Sequence, residues 1–292
     1  MKIKEANVMV QLVALDMDGT LLNRDKRITA TVRESLQRFM HQGGLLTIAS
    51  GRFPASVWLH AKALGMNAPL IALNGAVTLD AATGKQLDGT AMPPADAAML
   101  VRHAERRGAY IHLYGCNVLY VNEINEMNSR WPLANVVVEA GKPLTEDNYK
   151  EQSRLIQVQA ADDLAALALS GDSPVYKATV ISEDEALIND LVREYTGWGI
   201  FTITRTGRRR FDLNACGVSK RSALEQVSRS CAIPQAQVAA IGDYDNDIEM
   251  LAWAGLGIAM GNASDRVKQA ANVVTTSNEE DGVAYAFSRY LI

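Results

Sequence analysis

The sequence is poor in cysteine and contains no long run of hydrophobic residues. Its three cysteines, Cys116, Cys216 and Cys231, are odd in number and follow no zinc-binding or disulfide spacing. The apolar stretch 8–15 is too short for a signal or membrane segment, and no later run approaches the length of a bilayer span. These absences predict a soluble protein of the reducing cytoplasm, with no membrane partner.

The chain also lacks a strong excess of either charge and any clustering of histidine. A formal net charge of −4 gives no broad attraction to nucleic acid, so we expect no nucleic-acid partner. An anionic ligand must therefore be captured by local groups. The four histidines, His41, His60, His103 and His112, have no spacing suited to zinc, and we interpret them as surface or packing residues.

Apolar side chains make up 48 % of the 292 residues, enough for one large or two smaller hydrophobic cores. In the first third of the chain, short apolar runs alternate with amphipathic helical stretches. This alternation is typical of a parallel sheet covered by helices. The predicted strands are 8–15, 45–49 and 70–73.

The middle of the chain has a different character, because helices mix there with strands rich in aromatic and β-branched residues. The alternation of short apolar runs with amphipathic helical stretches returns after Phe211. The sequence therefore predicts an α/β fold: a Rossmann-like parallel-sheet core, 1–89 and 206–292, and an inserted α+β cap domain, 90–205. Ser182 and Glu185, three residues apart, predict a capping box at the start of one cap helix.

An acidic motif, Asp16-Met17-Asp18-Gly19-Thr20, directly follows the first predicted strand. Ligands of open α/β sheets bind beyond the carboxyl ends of the strands, so the motif has the position of a site. Two carboxylates two residues apart on an extended chain face the same way, where one can attack and the other handle a proton. Their repulsion calls for a cation, and a phosphate nearby favours Mg²⁺. Taken alone, the motif is equally compatible with an acidic turn.

This motif resembles the first motif of the haloacid dehalogenase superfamily of phosphotransferases. The segment from Thr47 to Arg52 resembles the second motif, in which a small hydroxyl residue, here Ser50, binds the transferring phosphoryl group. The Ser50 hydroxyl and the Gly51 backbone N–H are short donors that can approach a phosphate closely.

Two later segments resemble the third and fourth motifs. Gly217-Val218-Ser219-Lys220 resembles the third, whose lysine neutralises charge, although Arg221 stands where the family often has glycine. The segment from Gly242 to Met250 resembles the fourth. There the resemblance assigns Asp243 to the metal, Asn246 to the phosphate, and Asp247 to orienting a metal-bound water or Lys220 from behind the ligands.

The insertion between the second and third motifs, and Asn74-Gly75, resemble the Cof-type branch with its type C2B α/β cap. The resemblance implies a phosphoric monoester hydrolase that acts on small phosphorylated metabolites, such as sugar phosphates, through an aspartyl-phosphate. It implies Mg²⁺ as the cofactor. The implied catalytic residues are Asp16, the nucleophile, Asp18, the acid and base, and Lys220. The implied phosphate-binding residues are Met17, Ser50, Gly51, Lys220 and Asn246, and the metal would be held by Asp16, the Asp18 carbonyl and Asp243.

Two other functions stay open at this point: a phosphomutase of the same superfamily, and a regulatory module that binds phosphate or accepts a phosphoryl group without turnover. No motif identifies the cap residues that contact the substrate, and none fixes the oligomeric state. The densest basic cluster is Arg208-Arg209-Arg210. We interpret it as a solvated strand end, with capture of an incoming anion as the alternative.

Overall fold

The computed structural model describes residues 9–131, 152 and 154–292. The strands are β1 (Leu12–Leu15), β2 (Leu45–Ile48), β3 (Leu70–Ala72), β4 (Val77–Leu79), β5 (Gln86–Gly89), β6 (Tyr110–Tyr114), β7 (Val118–Val121), β8 (Gln157–Ala160), β9 (Lys177–Ile181), β10 (Phe201–Gly207), β11 (Arg210–Ala215), β12 (Val238–Gly242), β13 (Leu256–Ala259) and β14 (Val273–Val274). The helices are α1 (Ala30–His41), α2 (Pro54–Leu64), α3 (Pro94–Arg106), α4 (Glu126–Ser129), α5 (Leu164–Ser170), α6 (Glu185–Trp198), α7 (Lys220–Ser230), α8 (Ile248–Trp253), α9 (Asp265–Ala270) and α10 (Gly282–Ala286).

The core sheet is parallel and has the strand order β14-β13-β12-β1-β2. Strand β1 pairs with β12 on one side and with β2 on the other, and all four of its residues are buried. A continuous apolar run is expected of a strand covered on both faces. The carboxyl ends of these three strands therefore meet at one edge of the sheet. The predicted α/β fold with a parallel-sheet core is confirmed; Val8, at the start of the first predicted strand, lies outside the described residues.

A small antiparallel sheet, β3-β4-β5, adjoins the core. One parallel bridge, between Ala49 and Ile71, joins it to the end of β2. The turn after β3 contains Asn74, whose positive φ of 60° places its buried side chain next to the core strand ends.

The cap is built on a separate mixed sheet of six strands, in the order β10-β11-β9-β6-β7-β8. Neighbouring strands in this sheet are antiparallel, except for the parallel pair β7–β8. Strand β11 belongs to this sheet although it begins after residue 205. Because no shift of composition separates β10 from β11, the sequence does not reveal this continuation; we propose that the chain returns to the core after Ala215. Residues 132–151 and 153 of the predicted cap lie outside the described residues.

Two helix starts show how side chains fix local structure. The Ser219 hydroxyl accepts from the backbone N–H of Ser222, so that α7 begins at Lys220. The capping box predicted at Ser182 and Glu185 is wrong, because α6 is capped by Asp184, whose carboxylate accepts from the N–H groups of Ala186 and Leu187. Within the described part of the chain, no helix has the length and apolar character that crossing a bilayer demands.

Candidate active site

The ends of three adjacent core strands carry the predicted motifs. Asp16 follows β1, Ser50 lies just beyond β2, and Asp243 follows β12. Backbone hydrogen bonds continue the sheet to this edge, since the Asp16 N–H donates to the Ile241 carbonyl and the Ser50 N–H to the Ile71 carbonyl. Residues more than 190 positions apart in the chain are thus brought together by parallel strand pairing alone.

Lys220 connects two buried carboxylates. Its Nζ donates to Asp16 at 2.5 Å and to Asp247 at 2.7 Å, and its side chain is 1 % exposed. Burial lowers the pKa of the Lys220 ammonium, but the charges and hydrogen bonds of Asp16 and Asp247 outweigh burial and raise it above its usual range. Lys220 is therefore a fixed cation and not a proton donor.

The acidic side chains carry more negative charge than Lys220 balances. Oxygens of Asp16, Asp243 and Asp247 lie within 4.8 Å of one another. Burial raises the pKa of Asp16 well above its usual range, and Asp247 and Asp243 raise it further against the opposing charge of Lys220. Burial and Asp247 likewise raise the pKa of Asp243, to about 6. Crowded carboxylates of this kind fit a hard divalent cation with oxygen ligands.

The hydrogen bonds of Asp247 indicate a role different from that of the predicted metal ligands. One oxygen accepts from Lys220, and the other accepts from the backbone N–H groups of Asp243 and Tyr244, each at 3.0 Å. Both oxygens are thus engaged by protein donors. Although Asp247 lies in the acidic cluster, this arrangement suits orientation of Lys220 and of the Asp243 loop better than direct coordination of a metal.

Asp18 is paired with two cationic side chains, Arg52 and Lys26. The guanidinium of Arg52 donates to both carboxylate oxygens at 2.7 Å, and Lys26 donates to one of them at 2.6 Å. Burial raises the pKa of Asp18, but the hydrogen bonds and charges of Arg52 and Lys26 hold it well below its usual range. Asp18 is therefore held as a carboxylate.

The second motif forms a compact set of donors. The Arg52 N–H donates to the Ser50 hydroxyl oxygen at 3.2 Å, which leaves the hydroxyl proton of Ser50 free to point elsewhere. A Cβ on Gly51 would lie 2.6 Å from the Asn74 side-chain oxygen, so glycine allows that close approach. Asn246 donates to the same Asn74 oxygen at 3.2 Å. Asn74 thereby links the second motif to the fourth.

A cavity of about 390 Å³ opens between core and cap. Of the predicted site residues, Asp16, Asp18, Ser50, Gly51 and Asn246 line it. Lys220 and Asp247 lie behind Asp16, and the Met17 side chain is fully buried, so Met17 can meet a ligand only through its backbone. The structure therefore places five of the predicted residues in the lining of one cavity, with Lys220, Asp243 and Asp247 next to Asp16 but outside that lining.

Cap residues that the sequence did not single out form another wall of the cavity. Lys177 donates to the Gly51 carbonyl at 2.9 Å and to Asp212 at 3.0 Å, and both side chains are almost fully buried. Asp212 also accepts from Thr179 and Asn74. Lys177 and Asp212 belong to no motif with a recognisable spacing, so the sequence gives no signal for them. Arg52 and Asn74 do have a signal, because Arg52 follows Ser50-Gly51 and Asn74 precedes Gly75.

A profile of haloacid dehalogenase-like hydrolases matches residues 13–287, which include both the core and the insertion. The chain belongs to this family. The predicted resemblance to Cof-type haloacid dehalogenase-like proteins is therefore confirmed, and with it the prediction of a hydrolase.

Curated and solved relatives of this haloacid dehalogenase-like chain match it nearly end to end. The 5-amino-6-(5-phospho-D-ribitylamino)uracil phosphatase YitU of Bacillus subtilis is 28 % identical over 293 residues, 96 % of this chain and 97 % of the relative. The pyridoxal phosphate phosphatase YbhA of Escherichia coli is 27 % identical, over 97 % of this chain and 99 % of the relative. A haloacid dehalogenase-like hydrolase from B. subtilis has a similar structure, with a TM-score of 0.80, 25 % identity and coverage of 96 % and 99 %.

Proposed function

We propose that this chain is a Mg²⁺-dependent phosphatase that hydrolyses small phosphorylated metabolites through an aspartyl-phosphate on Asp16. The observation that carries the proposal is the position of Asp16. Its carboxylate is fixed by Lys220 and lines the same cavity as the donors Ser50, Gly51 and Asn246.

Before the first step, Asp18 leaves Arg52 and takes up a proton from solvent. An oxygen of Asp16 then attacks phosphorus, the bond from phosphorus to the ester oxygen breaks, and the Asp18 carboxylic acid gives its proton to the departing alkoxide. In the second step, water attacks the phosphorus of the aspartyl-phosphate and Asp18 takes a proton from that water. The Asp16 carboxylate is then regenerated and inorganic phosphate leaves.

Lys220, Ser50, Asn246 and the Gly51 backbone N–H would stabilise the negative charge on the phosphoryl oxygens. The Met17 backbone would join them. Asp16, the Asp18 carbonyl and Asp243 would hold Mg²⁺, which neutralises charge on nucleophile and phosphate when bound. The excess of carboxylate charge around Asp16 supports this assignment.

Small phosphate esters fit the cavity as a substrate class, because about 390 Å³ is within the range of small-molecule sites. Both named relatives carry such an ester in their names, a phosphoribitylamino-uracil and pyridoxal phosphate. The three cysteines are all free, which fits the proposed cytoplasmic location.

The test is phosphate release from p-nitrophenyl phosphate by wild type and Asp16→Asn, each with Mg²⁺ and with a chelator. The exposed Asp162→Asn is the matched control. We expect release to require both Mg²⁺ and Asp16. Release without metal, or by Asp16→Asn, would contradict the proposal; an inert wild type that keeps a long-lived phosphoryl group would favour the regulatory module.

A further inference from the structure

Several cap residues line the cavity without having a part in the proposed chemistry, among them Thr206, Arg210 and Trp131. Thr206 and Arg210 lie on the hairpin of β10 and β11, and Trp131 follows α4. Arg210 belongs to the basic cluster interpreted above as a solvated strand end. Its neighbour Arg209 pairs with Glu183 on the surface, whereas Arg210, although also exposed, lines the cavity.

Arg210 differs from the other cations of the cavity in its partners. Lys26 and Arg52 are both paired with Asp18, and Lys177 is paired with Asp212. Among the described residues, Arg210 is the one cavity-lining cation without a carboxylate partner. A guanidinium that lines a ligand cavity and has no carboxylate partner can donate hydrogen bonds to an oxyanion of the ligand.

The guanidinium of Arg210 is nevertheless held in place. Its Nε donates to the Thr206 carbonyl at 3.3 Å, and its Cζ lies 5.8 Å from the centre of a Trp131 ring. An arginine supported by an aromatic ring keeps its terminal N–H groups free for paired hydrogen bonds to a carboxylate or phosphate. Burial, with the charges of Lys177 and Arg210, lowers the pKa of His112 to about 3, so the charge of Arg210 acts on the interior of the cap.

Thr206 provides a second, independent observation. Arg205 pairs with Phe211 and Gly207 with Arg210, so Thr206 is the extra residue of a β-bulge. Its hydroxyl oxygen is buried and has no hydrogen-bond partner within the described part of the chain. Buried polar groups are rarely left unpaired, and bulges often redirect a side chain beside a binding site.

We propose that Arg210 and Thr206 form a second oxyanion subsite, with Trp131 as its apolar platform. The subsite takes a carboxylate or a second phosphate on the leaving group of the substrate, while the scissile phosphate lies at Asp16. The inference rests on the proposed function and narrows it to phosphate esters that carry a second anionic group.

The first test compares matched substrates by kcat/KM. Glucose 6-phosphate and 6-phosphogluconate differ by a carboxylate, and fructose 6-phosphate and fructose 1,6-bisphosphate differ by a phosphate. We expect wild type to prefer the doubly anionic member of at least one pair by about tenfold, the usual scale of a charge-assisted pair of hydrogen bonds. The pair that is discriminated distinguishes carboxylate from phosphate. No preference in either pair would overturn the proposal.

Variants then assign the preference to the subsite. Arg210→Met should reduce the preference to within twofold of unity, and Thr206→Val should reduce it partly. Both should leave turnover of p-nitrophenyl phosphate, which has no second anion, within twofold of wild type. Arg208→Met removes the same charge from an exposed neighbour and should keep the preference. An equal loss on all substrates in Arg210→Met would place Arg210 at the scissile phosphate and contradict the subsite.

A binding measurement separates this proposal from the phosphatase proposal. Calorimetry with Asp16→Asn measures the affinity for intact 6-phosphogluconate and fructose 1,6-bisphosphate, with and without Arg210→Met. A drop of about tenfold in affinity on removal of Arg210 supports the subsite even if wild type fails to turn over p-nitrophenyl phosphate. Unchanged affinity for both ligands overturns the subsite and leaves the role of Asp16 untouched.

Discussion

Arg52 holds Asp18 through two parallel hydrogen bonds, from Nε and from Nη2, each 2.7 Å long. A planar fork of this kind fixes both the position and the orientation of a carboxylate. Asp18 is thus held in the form that can accept a proton from water. Before it can donate a proton to a leaving group, Asp18 must separate from the guanidinium and become protonated. Arg52 is therefore expected to govern how Asp18 alternates between its two proposed roles.

We expect Arg52→Met to lower kcat on an alkyl phosphate by about tenfold to a hundredfold, because Asp18 loses its orientation and general acid–base catalysis contributes about 10²–10⁴-fold. Arg52→Lys should recover only part of the loss, since an ammonium cannot reproduce the fork. Lys26→Met is the control, because the Lys26 side chain is 51 % exposed and makes one contact to Asp18. Steady-state kinetics on folded variants checks this; a wild-type kcat in Arg52→Met would contradict it.

The buried ion pair of Lys177 and Asp212 lies within the cap sheet, and Lys177 also donates to the Gly51 carbonyl of the second motif. Lys177→Met should lower the free energy of unfolding by about 3–5 kcal/mol, because it leaves a buried carboxylate without its cation. The double variant Lys177→Met with Asp212→Asn should recover part of that loss. Urea unfolding of the two single variants and the double variant measures the coupling. Additive effects within about 0.5 kcal/mol would show that the pair is not coupled.

The sequence predicts the core of this site well and the cap poorly, for physical reasons. A motif at the end of a buried strand has its place fixed by strand pairing, so Asp16, Ser50 and Asp243 could be expected to meet. The contact of Lys177 with Gly51 spans 126 residues and depends on the register of the cap sheet, which no local pattern encodes. Similarly, the position of Arg52 next to Ser50-Gly51 can be seen in the sequence. Its ion pair with Asp18 cannot, because it depends on side-chain geometry.

A comparison of Gly19 with Gly43 distinguishes the effect of backbone strain from that of steric overlap at the proposed metal site. Its φ is +84°, and a Cβ there would overlap the Asp243 carboxylate. Gly43 has a φ of +90° but open space around the same position. Alanine at either residue should lower stability by about 1–2 kcal/mol through its left-handed conformation. Only Gly19→Ala should also raise the Mg²⁺ concentration needed for half-maximal turnover, and an equal Mg²⁺ requirement in both variants would contradict this.

Two buried histidines predict acid sensitivity. Burial and the charge of Arg52 lower the pKa of His60 to about 4, and burial with Lys177 and Arg210 lowers that of His112 to about 3. The unfolded chain, with an ordinary histidine pKa of about 6.5, then binds more protons below that pH than the folded chain does, so stability falls as pH falls. From pH 6.5 to 5, each histidine should remove about 2 kcal/mol from the free energy of unfolding.

Urea unfolding at several pH values measures this loss. His112→Gln should reduce the decrease by about 2 kcal/mol, whereas His41→Gln, at an exposed residue, should keep the wild-type dependence. A His112→Gln protein with the full wild-type decrease would show that His112 does not carry this share.

The central claim is that Asp16 carries the phosphoryl group, and mass spectrometry of the trapped protein tests it most directly. Asp18→Asn keeps the nucleophile but lacks the base that activates water, so the phosphorylated protein should accumulate after incubation with p-nitrophenyl phosphate and Mg²⁺ and an acid quench. Fragmentation is predicted to place one phosphoryl group on Asp16, and the double variant with Asp16→Asn should carry none. A phosphoryl group on any other residue, or none during active turnover of p-nitrophenyl phosphate, would contradict the account.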